Sequence, residues 1–158
     1  MATQAEREAL WAELEAMPGF LEEKLGALPA ETATLRGPAD AFAPVEHCWH
    51  LADLEREGYA VRTRRLLSEE HPFLPGFDGA RVARDRDYRA RALTDGLASF
   101  RSARQANLAL LRAVPESAWS REGAQEGVGA LTLDDLPRLM RAHDASHRAE
   151  ILAWLEAR

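Results

Sequence analysis

The chain places its apolar residues in a three-and-four rhythm over four long stretches. Nowhere does it alternate with period two for long enough to read as a strand. The first stretch runs from about Gln4 to Leu28, with Leu10, Leu14, Met17, Leu21, Leu25 and Leu28 on one stripe. At about 100° per residue this spacing keeps one face of an α-helix apolar. Pro18-Gly19 interrupts the stripe and predicts a kink or break, because proline removes an N–H and crowds the carbonyl four residues earlier. The second stretch begins near Ala43-Pro44 and runs to about Glu70; proline in a first turn costs no hydrogen bond. The prolines and glycines of HPFLPGFDGA, residues 71–80, end it. The third covers roughly Asp85 to Val114 and stops at Pro115. The fourth opens at Thr132, where TLDD sets an acid three residues after a capping hydroxyl, and continues to about Ala157 with Pro137 in its second turn.

Four such helices in 158 residues, with no repeat or linker dividing them, predict an all-α fold: one four-helix-bundle domain over residues 1–158. Two connections, 71–84 and 115–131, are long enough to carry site residues or to cross a bundle end. The GVG at 127–129 follows no strand and lacks the spacing of a phosphate loop, so it reads as a tight turn leading to Thr132.

The net charge of −6 argues against attraction to nucleic acid phosphates. The arginine-rich runs VRTRRLL and RVARDRDYRARA lie beside acids, as solvated helical faces do. No apolar run reaches the length of a spanning helix, and the polar start MATQAEREALWAELEAM lacks the features of a secretory signal. The expectation is a cytoplasmic protein without membrane contact. The single cysteine, Cys48, rules out an intrachain disulfide and an all-cysteine zinc cage.

The chemistry lies in the histidines. His143 and His147, in HDASH, fall about 40° apart on one helical face. That face also carries Leu136, Leu139, Met140, Ile151 and Trp154, so both rings sit on the buried stripe. Two imidazoles one turn apart chelate a single divalent ion when a third ligand joins them. His50, in VEHCWHLADLE, supplies one, on a stripe with Ala43, Glu46, Leu54, Glu57 and Val61. His47 stands to one side as a rim residue or alternative ligand. Cys48 points about 160° away from His50, and His71 falls in a turn. Three histidines would leave a position for water or substrate, the pattern of catalytic rather than structural zinc. Zinc, nickel, iron(II) and manganese all remain open. Glu46, one turn before His50, is the candidate to orient a ligand or move a proton.

These residues carry a resemblance. FAPVEHCWHLADLE, HPFLPGFDG, QEGVGALTLDDL and HDASH together resemble the DinB-like superfamily, over about residues 5 to 157. Its members are four-helix bundles related to thiol-dependent S-transferases and to the mycothiol-dependent maleylpyruvate isomerase. The resemblance implies a metal held by a second-helix histidine and an H-x-x-x-H pair on the fourth, here His50, His143 and His147. It also implies a divalent metal such as zinc or nickel and, in many members, a homodimer. The resulting expectation is a metal-dependent enzyme acting on a small molecule, with thiol transfer from a low-molecular-weight thiol cosubstrate as first reading. Arg81, Arg84 and Arg86, near the second connection, are the candidates to meet a thiol's carboxylate or sugar, though spacing alone does not place them. The alternatives are metal-assisted hydrolysis at the same ion and, in a different class, a non-enzymatic metal- or ligand-binding stress-response protein.

Overall fold

The computed structural model describes residues 1–158. Its long elements are α1 (Gln4–Leu25), a short α2 (Ala30–Ala33), α3 (Pro44–Leu54), α4 (Ala60–Ser68), α5 (Gly79–Asp85), α6 (Leu93–Arg112) and α7 (Leu136–Glu156). Helix α3 and helix α4 are joined end to end by a π-turn, Glu55–Tyr59. With that pair counted as one rod, α1, α3–α4, α6 and α7 are the four members of the bundle. α3 packs on α6, and α1 packs on both α6 and α7.

The structure departs from the sequence expectations at three places. First, α1 does not break at Pro18-Gly19 but runs through it. The carbonyl that Pro18 leaves without a donor is that of Leu14, and Arg104 Nη1 reaches it from α6 at 2.8 Å. A tertiary hydrogen bond thus replaces the missing helical one, and most of the local cost of proline is offset. Second, the third helix is shorter than Asp85–Val114. Asp87 takes a left-handed conformation (φ 47°) and Tyr88–Ala90 forms a 3₁₀ turn before α6 starts at Leu93. Asp53 on α3 holds this segment, accepting from the Tyr88 hydroxyl and from Arg86 Nη1. Third, the long connections contain strands. β1 (Phe73–Leu74) pairs in parallel with β2 (Glu122–Gln125), which pairs antiparallel with β3 (Gly129–Thr132). Gly127 and Gly129 adopt positive φ at the β2–β3 turn, the tight turn read from GVG.

The start of the last helix follows the sequence reading closely. Thr132 N–H and Oγ1 both donate to Asp135 Oδ2, at 2.8 and 3.0 Å. Pro137 falls in the first turn rather than the second, because α7 itself begins at Leu136 after a 3₁₀ turn.

The interior is two apolar clusters separated by a polar layer. One includes Leu10, Trp11, Leu14, Leu54, Leu108 and Met140; the other includes Met17, Leu21, Leu51, Phe100 and Ile151. Between them along the helices lie Glu55, Arg104, Asn107, Asp144 and His147, all buried. Arg104 donates to Glu55 Oε1 from Nε and Nη2 (2.9 and 2.7 Å) and to Asp144 from Nη1 and Nη2 (2.7 and 2.9 Å). Burial alone would lower the Arg104 pKa. The bonds to Asp144 and the charge of Glu55 outweigh that and raise it, so the guanidinium stays charged. Cys48 belongs to the second cluster, where burial pushes its thiol up to about 12. The native protein should therefore resist alkylation at pH 8 and react only after unfolding, as mass spectrometry can read; rapid native labelling would contradict this placement.

The candidate metal centre

The π-turn decides which residues of the second rod face inward. An extra residue in one turn rotates everything after it by about 100°. A continuous α-helix would carry the His50 stripe on to Glu57 and Val61. Both are exposed instead, and Tyr59, Arg62, Thr63 and Leu66 are the buried residues. Ala60 N–H closes the π-turn on Glu55 O, and Asn107 Nδ2 donates to the same carbonyl at 2.8 Å and to Glu55 Oε2 at 2.6 Å.

His50 on α3 and His143 and His147 on α7 turn their Nε2 atoms toward one point. The separations are 3.5 Å for His50–His143 and 3.1 Å for His143–His147. All three ligand atoms lie within 4.8 Å of one another. Two nitrogens bound to a tetrahedral ion at about 2.0–2.1 Å stand about 3.3 Å apart, so the donor set fits a divalent cation. Burial first, and the neighbouring imidazoles second, depress the ring pKa values and keep the rings neutral. His50 is lowered to about 3, and His147 is lowered as well. His143 is also lowered, chiefly by burial. Neutral rings are the form that binds a metal.

His47 is buried rather than a rim residue, and it faces His147 from behind. The two Nδ1 atoms are 2.7 Å apart. That is too short for two ligands of one ion and right for an N–H···N hydrogen bond. When His147 offers its Nε2 lone pair inward, its proton sits on Nδ1 and donates to His47 Nδ1. The His47 proton then lies on Nε2, which is 3.8 Å from Glu150 Oε2. A ligand histidine backed by an acceptor of this kind has its tautomer and ring orientation fixed. The sequence stripe showed only that His47 was near; its partner on α7 required the packed structure.

Aromatic rings close the other sides. Phe42 meets His50 edge-on at 5.4 Å between centroids, Phe77 lies 6.0 Å from His50, and Tyr59 lies 6.4 Å from His143. Gly79, at the start of α5, is there for space: a Cβ would come within 2.6 Å of His50 Cε1 and 2.8 Å of Nδ1. Gly79→Ala should displace the His50 ring and weaken metal binding by about 10–100-fold, the range for loss of ligand support. A competition titration against a chelator would show it, and an unchanged affinity would count against His50 as a ligand.

Glu46 is placed differently from the expectation. Its carboxylate accepts from Ala43 N–H at 3.1 Å, capping α3, and from Arg36 Nε and Nη2 at 3.2 and 3.1 Å. It is not among the ligand atoms gathered with the three histidines. Cys48 is packed in the core, and His71 is exposed in its turn at φ 45°. Trp154 is buried away from the rings, donating from Nε1 to Leu35 O at 2.8 Å. Among the arginines expected near a substrate, Arg81 and Arg84 are exposed, and Arg86 is held by Glu57 and Asp53.

Fold and cluster define a class: a four-helix bundle with three inward histidines that can hold a metal ion between its second and last long helices. Comparison with known proteins gives the family. A model of the DinB superfamily matches residues 5–151, and the chain belongs to that superfamily. Among solved structures it is similar to YfiT from Bacillus subtilis, described as a probable metal-dependent hydrolase with an unusual four-helix bundle topology. The two share 19% identity and superpose with a TM-score of 0.89, over 99% of this chain and 90% of that one. No curated protein matches the sequence. No helix is long and apolar enough to cross a membrane.

Proposed function

We propose that His50, His143 and His147 hold one divalent ion through their Nε2 atoms, and that the centre serves an enzyme transferring a thiol of a small molecule to an electrophilic substrate. The observation that carries this is the donor set. Three neutral imidazoles converge, while the buried carboxylates of Glu46 and Asp144 are held by Arg36 and Arg104. An ion held this way would supply Lewis acidity, favouring the thiolate form of a thiol, or the deprotonated form of water, at neutral pH. Imidazole donors suit zinc, nickel or iron(II) better than manganese.

The protein's own groups do the rest. His47 accepts the Nδ1 proton of His147 and fixes that ring. Asp144, gripped by Arg104, holds α7 in place beside His143. Phe42, Phe77 and Tyr59 limit water around the rings, which strengthens the electrostatics inside. A thiolate nucleophile needs no carboxylate base once its proton has gone, whereas many hydrolytic sites use one. Deprotonated water would need none either, so the two readings differ in what fills the ion's open position, and Glu46 acts here as the cap of α3 rather than as a base.

Hydrolysis is the second reading, favoured by the description of the similar B. subtilis protein. The test is to follow an electrophile such as a chloro-dinitroarene with and without a low-molecular-weight thiol, beside an activated ester. Metal-dependent consumption that requires the thiol and is lost in His147→Ala supports transfer. Metal-dependent ester cleavage without thiol supports hydrolysis. No metal-dependent turnover of either kind would favour a non-enzymatic binding protein.

A further inference from the structure

Arg62 is a buried cation near the centre that takes no part in holding the three rings. It lies on α4 just past the π-turn and is 6% exposed. Other buried arginines of this chain are fully paired: Arg7 with Asp134 and Glu116, Arg104 with Glu55 and Asp144. Arg62 has no acid. Its guanidinium offers five N–H donors, and the protein supplies one long bond, Nη2 to Pro75 O at 3.4 Å. Its buried Nε meets no acceptor at all. A buried cation without a counter-ion is costly, and a fold that keeps one presents it to something that arrives from outside.

Its position says where that ligand sits. The guanidinium carbon lies 5.6 Å from the centre of the Tyr59 ring, and that ring lies 6.4 Å from the His143 ring. Pro75, its one hydrogen-bond partner, belongs to the same connection as Phe77, which packs on His50. The π-turn is what brings Arg62 inward, and Gly58 within it leaves room for Leu54, whose Cδ1 would lie 2.6 Å from a Cβ there.

We propose that Arg62 is a substrate-binding residue that receives the carboxylate of a small molecule whose other end lies at the three-histidine centre. The inference rests on the metal-site reading and deepens it by assigning the charge of the substrate. A planar guanidinium matches a carboxylate with two parallel hydrogen bonds. An anion so bound would neutralise a charge that no protein group neutralises.

The test compares two thiols that differ in one group, mercaptoacetate and 2-mercaptoethanol, titrated calorimetrically into the protein as purified. Wild type should bind mercaptoacetate at least about tenfold more tightly, the size of a charge-assisted hydrogen bond to a carboxylate. Arg62→Met should abolish that preference and leave 2-mercaptoethanol unchanged, while Arg62→Lys should keep part of it. No preference in wild type, or a preference that survives in Arg62→Met, overturns the proposal. Acetate titrated into protein stripped by a chelator separates the two readings. Acetate binding there that depends on Arg62, without thiol binding to the loaded protein, upholds the anion site and defeats the thiol reading. Acetate binding that is absent from stripped wild type, together with equal thiol affinities, defeats the anion site while the metal reading stands on its own metal content.

Discussion

Arg104→Ala is expected to cost about 3–5 kcal/mol of stability, the range for removing one partner of a buried ion pair. The side chain is 1% exposed and serves three acceptors at once: Glu55, Asp144 and the Leu14 carbonyl left open by Pro18. Truncation leaves two buried carboxylates repelling one another and a carbonyl without a donor in mid-helix. A loss this large is a substantial part of the stability of a domain of this size. Urea titration reads it directly. A loss under about 1 kcal/mol, the size seen for exposed pairs, would show that the network is not formed in solution. Arg104→Met with Glu55→Gln and Asp144→Asn should recover much of the loss, since removing all the charges together avoids stranding any of them.

The second large effect separates a ligand from its support. His147→Ala removes one of three converging nitrogens and should weaken metal binding by well over tenfold. His47→Phe removes only the acceptor behind His147 and should cost about 10–100-fold, as loss of such supporting partners does. Chelator competition on both variants gives the order. Equal affinity for His147→Ala and wild type would remove His147 from the site, whereas a larger loss in His47→Phe would make His47 a ligand.

The same rings set an acid limit for the metal-free protein. Burial holds His47 down to about 4 and His50 to about 3, against about 6.5 for a free ring. The unfolded chain therefore takes up these protons first. Stability that is fully present above about pH 6.5 is lost as the pH falls from there toward about 3. Urea midpoints of chelated protein should drop between pH 7.5 and pH 5. A flat profile would mean that the rings are solvated.

Helix count, the capped start of the last helix and the facing of the two HDASH histidines were legible because each depends on spacing within one segment. What escaped depends on contacts between segments. Pro18 sits in an unbroken helix only because Arg104, 86 residues later, serves the Leu14 carbonyl. The third helix starts late because Asp53 draws Tyr88 and Arg86 to α3. The strands are two to four residues long, too short to show an alternation, and β1 finds β2 only across about 50 positions. The π-turn matters most. A 3.6-residue period carried past Glu55 selects Glu57 and Val61 for the inner face, whereas the extra residue selects Arg62. For that reason the spacing that finds His50 does not find the cation beside the centre, and points to Arg81, Arg84 and Arg86 instead.

If the three histidines hold a metal ion, the ion should be retained on purification and depend on each ring. Untagged wild type and His143→Ala, purified without chelator, are compared by elemental analysis. The account predicts about one divalent ion per wild-type chain and its loss in the variant. No ion in either protein, even after zinc or nickel is added, would contradict it and leave the three rings as a buried structural cluster.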